Sequence, residues 1–394
     1  MSEWKKEKLG DYVEVLSGFA FKSKDFTSEG VPVIKIKNIS PPNVSLEDLS
    51  YVPMTIVTQN PRYILSRGDV LIAMTGSHIN QIASVVGRVG RIRYDVLSVL
   101  NQRVGKIVNK DDKKSSLDFV YYYLSQYEVK VELAQKAGGA ANQANISPKD
   151  IKDLMFPCPP VETQHRIATI LSRYDSLIEN YQKQIKLLEE AAQRLYKEWF
   201  IDLHFPGHEN TNIIDGVPDG WEKKKLGDLA EFKRGKTITK KEIIEGPIPV
   251  VAGGLEPAYH CNKSNTAERV ITVSGSGANA GFTRMYFEKV WASDCSFVDA
   301  STTPFLHFVY CFLKDNKTTI DNLQKGAAQP HVYAKDINSM SICIPIESVL
   351  TSFEGKASKY FDTISSFQSQ IRLLTEARDR LLPKLMSGEI NVES

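Results

Sequence analysis

The residues with the clearest chemical potential form a glycine-rich turn. Gly275-Ser276-Gly277-Ala278-Asn279-Ala280 follows a predicted buried strand and fits the G-x-G-x-x-A spacing of a dinucleotide-binding turn. Such a site also needs a helix that begins at the turn, so that its N-terminus faces the pyrophosphate. Residues 281–291 are instead rich in aromatic and β-branched types, which favours a β-hairpin. We therefore interpret the turn as backbone N–H groups exposed to phosphates and not as a cofactor site.

Three other groups of residues imitate catalytic sites without completing them. Ser40-Pro41-Pro42 resembles the start of an amino-methyltransferase motif, but Asn43 stands where an aromatic ring would stack on a flipped base. Asp219 precedes a Glu-Lys-Lys run as in a nuclease, yet it lies in a Pro-Asp-Gly turn and not on a strand beside a second metal-binding acid. His204 and His208 have ligand-like spacing, but a proline and a glycine between them prevent a helix from presenting both rings.

The composition narrows the class of protein. The chain has 394 residues, of which 42% are hydrophobic and 24% charged, and this excludes a disordered or collagen-like chain. Its five cysteines are scattered and never spaced as CxxC, so neither a disulfide framework nor a zinc knuckle is indicated. No apolar run approaches the roughly 20 residues that span a bilayer, and the N-terminus lacks a signal-peptide core. We expect no bound metal, no membrane association and a cytoplasmic location.

An internal repeat organises the chain. The segments of the first half recur in the same order in the second half, while their offset falls from 217 to 186 positions. The matching pairs are residues 4–11 with 221–228, 69–77 with 268–276, 117–124 with 306–313, and 143–159 with 329–345. The falling offset indicates that the second copy has lost loop residues, while the order of the elements is unchanged.

Each copy ends in a predicted long helix with a heptad pattern. Two apolar series interleave at spacings of four and three, which is the a/d pattern of a coiled coil. The predicted helix-pairing residues are Ile167, Leu171, Tyr174, Ile178, Tyr181, Ile185, Leu188 and Leu195 in the first helix, and Phe353, Tyr360, Ile364, Phe367, Ile371, Leu374 and Leu381 in the second. Two amphipathic helices packed on separate cores would not need this seam over five heptads, so we expect the helices to pair with each other.

These elements predict an α+β fold. Two similar mixed α/β modules would be separated by a pair of long antiparallel coiled-coil helices, with a pseudo-two-fold internal repeat. The predicted boundaries are residues 1–158 for the first module, 159–203 for the first helix, 204–220 for a linker, 221–345 for the second module and 346–388 for the second helix.

The ordered set of motifs resembles the specificity subunit of Type I restriction–modification systems along the whole chain. Its markers are the two module openings at residues 4–11 and 221–228, PVIKIKNI at 32–39, NQRVGKI at 101–107, CPPVETQHRIATIL at 158–171 and RLLPKLMSGEI at 380–390. One departure from the family pattern is that Pro330-His331-Val332 stands where the first copy has Ala144-Asn145-Ile146, and family members often carry a Pro-Asn-Ile type sequence.

The resemblance implies two target-recognition domains that each read half of a split site in double-stranded DNA. It implies that the paired helices act as a ruler and dock two methyltransferase (M) subunits, and through them restriction (R) subunits. The chain itself would be non-catalytic and would hold no cofactor. S-adenosylmethionine is expected on the M subunit, and ATP and Mg²⁺ on the R subunit.

Residues for DNA contact have to be sought locally, because the net charge of the whole chain is only +2. Arg and Lys clamp phosphates or read guanine, Asn and Gln suit adenine, and small-residue loops let the backbone approach a duplex. The candidate DNA-binding residues are Lys22, Lys35, Lys37, Asn38, Ser77, His78, Arg88, Arg91, Arg103, Asn142 and Gln143 in the first module, and Lys233, Arg234, Lys236, Gly253, Gly254, Ser276, Asn279, Arg284, Gln329 and His331 in the second.

Two alternatives belong to other functional classes. One is a self-sufficient DNA methyltransferase or nuclease, which only the incomplete catalytic motifs support. The other is a coiled-coil scaffold without a role in DNA recognition, and selection of one DNA sequence by the chain with its partners would exclude it.

Overall fold

The computed structural model describes residues 4–76, 85–138, 144–239, 241–326 and 329–392. The chain forms two compact units. Unit 1 comprises Met1–Ile178 together with Leu373–Ser394, and unit 2 comprises Glu179–Arg372. The first unit is therefore built from both ends of the sequence.

Unit 1 contains a mixed sheet of order β2-β12-β8-β10-β5-β4 and a second sheet of order β6-β3-β11-β7. Two further pairs, β1 with β14 and β9 with β13, are antiparallel. The strands are β1 Lys6–Lys8, β2 Val13–Ser17, β3 Val31–Ile34, β4 Ile39–Ser40, β5 Asn43–Val44, β6 Ser50–Val52, β7 Ile64–Leu65, β8 Val70–Ala73, β9 Thr75–Gly76, β10 Val89–Arg91, β11 Ser98–Leu100, β12 Val104–Asn109, β13 Ala144–Asn145 and β14 Met155–Pro157. The helices are α1 Met54–Gln59, α2 Leu117–Leu124, α3 Tyr127–Lys136, α4 Pro148–Lys152 and the start of α5 Val161–Phe200.

The core of unit 1 gathers around helix α2. Its continuous apolar sequence, LDFVYYYL, is buried from Phe119 to Leu124 because one side packs on the main sheet and the other on the long helix. Leu385 and Met386 from the end of the chain belong to the same core. Trp4 lies against Gly388, where an added Cβ would be 3.1 Å from the indole ring.

Unit 2 repeats this plan with fewer strands. Its main sheet has the order β18-β24-β21-β22, and a second sheet has the order β20-β19-β23. The strands are β15 Ile213–Ile214, β16 Val217–Pro218, β17 Glu222–Lys225, β18 Lys233–Arg234, β19 Ile248–Val251, β20 Tyr259–Cys261, β21 Val270–Ser274, β22 Thr283–Tyr286, β23 Trp291–Ala292, β24 Cys295–Asp299 and β25 Ser341–Ile344. The helices are α6 Leu226–Leu229, α7 Leu306–Asp315, α8 Lys317–Asn322, α9 Ala334–Asn338 and α10 Glu347–Met386.

The correspondence between the units extends to strand pairing. In both, the opening strand of the repeat pairs antiparallel with the strand before the long helix, β1 with β14 and β17 with β25. Both second sheets contain one parallel pair, β3 with β11 and β19 with β23. The predicted mixed α/β fold with two repeats and two long helices is therefore confirmed.

The heptad seam is buried or half-buried at every predicted position. In unit 1, Ile167 and Leu171 of α5 share a core with Leu381 and Leu385 of α10. In unit 2, Tyr181 of α5 stacks on Phe367 of α10 with ring centroids 4.8 Å apart, and Tyr196 contacts Phe353 at 6.3 Å. In unit 1 the start of α5 thus packs on the end of α10, and in unit 2 the later residue of α5 meets the earlier residue of α10, so the helices pair antiparallel in each unit, as predicted.

Candidate nucleic-acid interface

The glycine-rich turn of unit 2 continues into a strand and not into a helix. After a short 3-10 turn at Gly277–Asn279, β22 runs back antiparallel to β21, so residues 281–291 supply the second strand of this hairpin and do not form a hairpin by themselves. Gly277 has φ +79°, a left-handed conformation that favours glycine. A dinucleotide would need a helix N-terminus at this place, and a β-hairpin does not provide one.

Further loops converge on this turn at one end of the main sheet. Gly277 N–H donates to Pro330 O at 3.0 Å and Val332 N–H to Gly275 O at 3.1 Å, so the segment with His331 is fixed to the turn. Ser274 Oγ donates to Gly253 O at 3.1 Å. An added Cβ on Gly253 would lie 2.8 Å from Ser276 O, which shows how closely the two loops approach.

Basic side chains border the same end of the sheet. Lys233, Arg234 and Lys236 are exposed, and the backbone of Lys236 is held by Trp291, whose Nε1 donates to Lys236 O at 2.7 Å. Gly235 N–H donates to Cys295 O at 2.8 Å, so this segment lies beside the start of β24. The structure thus brings together most of the predicted contacts of the second module, namely Lys233, Arg234, Lys236, Gly253, Gly254, Ser276, Asn279, Gln329 and His331.

Two residues of this surface were missed by the sequence interpretation. Asp294 accepts a short hydrogen bond from Ser276 Oγ, and such a carboxylate can accept from an amino group of cytosine. Tyr333 is 40% exposed and stacks on His331 with ring centroids 5.9 Å apart. Arg103 of the first copy stands at the position of Asp294, since Met74 N–H donates to Arg103 O as Gly275 N–H donates to Asp294 O, so the repeat itself gave no signal for this acid.

The equivalent end of the main sheet in unit 1 has the same construction. An added Cβ on Gly18 would lie 2.3 Å from Asn101 O, as one on Gly235 would from Ser293 O. Arg103 is exposed, and its carbonyl accepts from Met74 N–H at 2.9 Å, immediately before Thr75. Thr75 Oγ1 donates to Asn145 Oδ1 at 2.8 Å. The predicted residues Ser77, His78, Asn142 and Gln143 lie outside the described residues.

Other candidates of the first module occupy the second sheet or the interior. Lys22 and Lys37 are exposed, and Lys37 pairs with Asp48. Lys35 Nζ donates to Ser50 Oγ at 2.8 Å and lies 4.1 Å from the Phe26 ring centroid, and burial lowers the pKa of Lys35.

Asn38 and Arg91 are buried at 1% and 6% exposure. The Asn38 amide is occupied by Lys35 N–H and Glu47 O, at 3.0 and 2.9 Å. The Arg91 guanidinium lies 2.7 Å from a carboxylate oxygen of Asp118 and over Tyr121. Both side chains support the fold here and offer no free edge to DNA, so neither belongs to the interface proposed below.

Arg88 and Arg284 each lie beside one cleft, Arg88 in unit 1 and Arg284 in unit 2. The cleft of unit 1 has a volume of about 490 Å³ and is lined by Arg88, Tyr121, Lys130 and Asp175 among others. The cleft of unit 2 has a volume of about 400 Å³ and is lined by Arg284, Tyr310, Glu189 and Phe361 among others. Arg284 is anchored there, since its Nη1 donates to Leu255 O at 2.8 Å.

The part of the chain that the structure describes has no group of three or more His, Cys, Asp or Glu side chains arranged to hold a metal ion. His204 and His208 have ring centroids 5.4 Å apart, but His208 Nδ1 is 2.9 Å from Phe205 O. None of the helices in the described ranges combines the length and the apolar composition that a bilayer-spanning helix needs.

Comparison with known proteins identifies one family. The family model described as "Type I restriction modification DNA specificity domain" matches residues 1–190 and again 218–381, which are the two repeats. A Type I restriction enzyme MjaIX specificity subunit from Methanocaldococcus jannaschii is 28% identical, with 99% of this chain and 94% of that protein aligned. The HindI specificity subunit of Haemophilus influenzae is 23% identical over 66% of this chain and 73% of its own length.

Among solved structures, the S subunit of a Type I restriction–modification system from M. genitalium aligns with a TM-score of 0.59 at 19% identity. The alignment covers 97% of this chain and 96% of that one. This likeness supports the fold alone.

Proposed function

This chain belongs to the Type I restriction modification DNA specificity family, and we propose that it reads a split DNA target with one module for each half-site. The observation that carries this proposal is the repeated sheet end. In both units one strand of the main sheet, β2 or β18, ends at a glycine that packs closely on the loop before β12 or β24, and the side chains around it differ between the copies. Arg103, Thr75 and Asn145 border the edge in unit 1, whereas Lys236, Ser276 and His331 border it in unit 2. A common scaffold with different polar groups is what two different half-sites require.

The family's specificity subunit is non-catalytic, and we further propose where the chemistry is supplied. Two methyltransferase subunits would dock on the paired helices and carry S-adenosylmethionine. Restriction subunits would join through them and carry ATP and Mg²⁺. The assembly would act in the cytoplasm. No step of methyl transfer or strand cleavage is assigned to a side chain of this chain.

Exchange of one module tests the proposal. Residues 1–158 would be replaced by the first module of another family member, and the methylated motif of the reconstituted complex would be mapped by sequencing. We expect one half of the motif to change and the other half to stay. A change in both halves would contradict independent reading by two modules.

A residue-level test uses charge. Arg103→Ala and Lys236→Ala each remove an exposed cation at a proposed sheet end, so each should weaken DNA binding and flatten the logarithmic salt dependence by up to about 0.9 per phosphate contact. Lys289→Ala is the control, because Lys289 is exposed beyond the opposite end of β22. An equal loss in the control variant would mean that these edges are not the interface.

A further inference from the structure

Arg103 and Asp294 occupy the same position in the two repeats, but their charges are opposite. Each is the residue before the strand, β12 or β24, that lies beside β2 or β18 in its main sheet. The carbonyl of each accepts a backbone N–H, from Met74 at 2.9 Å and from Gly275 at 3.1 Å. A position that only contacted phosphates would keep a cation in both copies, because both half-sites have the same backbone. The change of sign therefore points to a feature that differs between half-sites, which is the bases.

The Asp294 carboxylate is held in place and keeps one oxygen open. Oδ2 accepts the short hydrogen bond from Ser276 Oγ. Oδ1 has no hydrogen-bond donor among the described residues, and it is not one of their buried side-chain atoms without a partner. Oδ1 is therefore open to solvent and free to accept from a ligand, while the bond to Oδ2 fixes the direction in which it points.

Two glycines keep the space beside this carboxylate free of side chains. A Cβ added to Gly275 would lie 3.2 Å from Asp294 Oδ1, and one added to Gly253 would lie 3.6 Å from Oδ2. A side chain at position 275 would thus press against the oxygen that is open. Glycine at such places lets a ligand approach the backbone closely, so the edge of a base can reach the carboxylate.

The negative charge of Asp294 restricts the bases that it can contact. Phosphate oxygens repel a carboxylate, so an acid at a DNA-facing edge needs a hydrogen-bond donor from the DNA. In the major groove, the donors are the N4 amino group of cytosine and the N6 amino group of adenine. Adenine presents the acceptor N7 beside N6, and guanine and thymine present acceptors only, so each of these would repel the carboxylate. Cytosine has a donor and no acceptor on this edge, and it is the base that fits.

We propose that Asp294 is a specificity-determining residue of the second module, and that its Oδ1 accepts a hydrogen bond from the N4 amino group of one cytosine in the second half-site. This rests on the proposed function and adds the base that one side chain selects. Ser276 is a positioning residue, because it holds Oδ2 while Oδ1 meets the base. The first module carries Arg103 at the same position, and a guanidinium suits guanine, so the corresponding base pairs of the two half-sites differ.

The test uses the reconstituted complex with the full-length chain. Binding would be measured on duplexes that carry each of the four base pairs in turn at every position of the second half-site, and the methylated motif would be mapped in parallel. The wild-type complex should prefer C·G at one position by about tenfold or more. Asp294→Ala should remove the preference at that position only.

Asp294→Asn gives a sharper result, because it changes the preferred base. The amide still accepts from Ser276 Oγ, so the melting temperature should stay unchanged. An asparagine pairs with N6 and N7 of adenine, so the preference at the same position should move from C·G to A·T. Glu288→Gln is the matched control, since it removes the same charge from an exposed position beyond the opposite end of β22, and its motif should equal that of the wild type.

Each outcome decides a different point. If the second half-site contains no cytosine on either strand, or if Asp294→Asn and wild type read the same motif, the assignment is wrong while the proposed function stands. A change in the first half-site, or the same change in Glu288→Gln, also overturns it. An equal loss of binding to all duplexes, with a lower melting temperature in both Asp294 variants, would make Asp294 a structural residue and not a reader of bases. If the wild-type complex selects no split sequence, the proposed function itself fails.

Discussion

At the same place in the two repeats, one unit buries an ionic network and the other buries apolar side chains. In unit 1, Tyr122 Oη donates to Asp175 Oδ2 at 2.6 Å, and Arg378 Nη1 donates to Asp175 Oδ1 at 2.8 Å. The equivalent residues of unit 2 are Cys311, Phe361 and Ala192, each of them at most 2% exposed. The same fold therefore fills this position with paired charges in unit 1 and with apolar side chains in unit 2.

The comparison shows that the fold does not depend on the ionic network of unit 1. A buried ion pair has to repay the desolvation of both charges, and replacement by well-packed apolar residues is often neutral or stabilising. Unit 2 is a natural example of that replacement, so the fold does not require the charges. The charges in unit 1 support one another, and loss of Arg378 leaves Asp175 with only the more distant Arg93, whose Nη2 lies 4.0 Å from Asp175 Oδ2.

The largest effect is therefore expected from breaking the network at one member. Arg378→Ala removes the nearer cation of Asp175, whose side chain is 5% exposed, and leaves it with Tyr122 and with Arg93 Nη2 at 4.0 Å. This should lower the free energy of unfolding of unit 1 by about 3 kcal/mol. Denaturant unfolding would measure this.

The control transfers the residues of unit 2 into unit 1. The triple variant Tyr122→Cys, Asp175→Phe, Arg378→Ala should recover most of the loss, because the two buried charges are removed together and Arg93, at 25% side-chain exposure, still reaches water. A triple variant as unstable as Arg378→Ala would show that packing around the position differs between the units.

A second comparison concerns the N-terminus of the apolar helix in each repeat. In unit 2, Glu354 accepts from the backbone N–H groups of His307 at 3.0 Å and Phe308 at 3.3 Å. In unit 1, Gln164 Oε1 accepts from Ser116 N–H at 2.9 Å. Both caps come from the long helix that ends the repeat, but from positions that are not equivalent in the alignment.

Removal of the Glu354 side chain should lower the stability of unit 2 more than its replacement by the amide of glutamine. Glu354→Ala leaves helix N–H groups unpaired and should cost about 1–2 kcal/mol of unfolding free energy, while Glu354→Gln keeps an acceptor and should cost less. Thermal melting of the two variants would compare them. Equal losses would mean that the side-chain volume, and not the hydrogen bonds, is what α7 needs.

Local periodicity and the repeat were sufficient to predict the long helices, their pairing and the mixed modules. Seam residues such as Ile167 and Phe353 could be read from spacing, because a heptad depends on neighbouring turns of one helix. Arg378 sits in the same series, yet its partner Asp175 is 203 positions away, and no local pattern joins them. Asp294 was missed for the same reason.

Asn38 and Arg91 show the opposite kind of error, because the sequence analysis proposed both for DNA contact and the structure buries them. Both are residue types that suit DNA contact, and residue type cannot tell whether a side chain points to solvent or is occupied inside the fold. Asn38 is occupied by local backbone groups, and Arg91 by an acid on a helix 27 positions later. Three-dimensional packing decided both cases.

The smallest effect is expected at Glu189, whose counterpart in the second helix is the neutral Thr375. Burial beside the cleft of unit 2 raises the pKa of Glu189, although Lys314 and Arg284 act in the opposite direction. For an acid with a raised pKa in the folded state, the stabilising contribution is fully present below the unfolded value of about 4.3 and is lost as pH rises through the folded pKa. At neutral pH the carboxylate is therefore a cost, and Glu189→Gln should stabilise unit 2 by roughly a few tenths of a kcal/mol. The gain should shrink as pH falls towards 4, and denaturant unfolding across this pH range would measure it.

Glu198→Gln, at an exposed position of the same helix, should show no such trend. A gain that persists at pH 4 would come from packing or helix propensity and not from the charge.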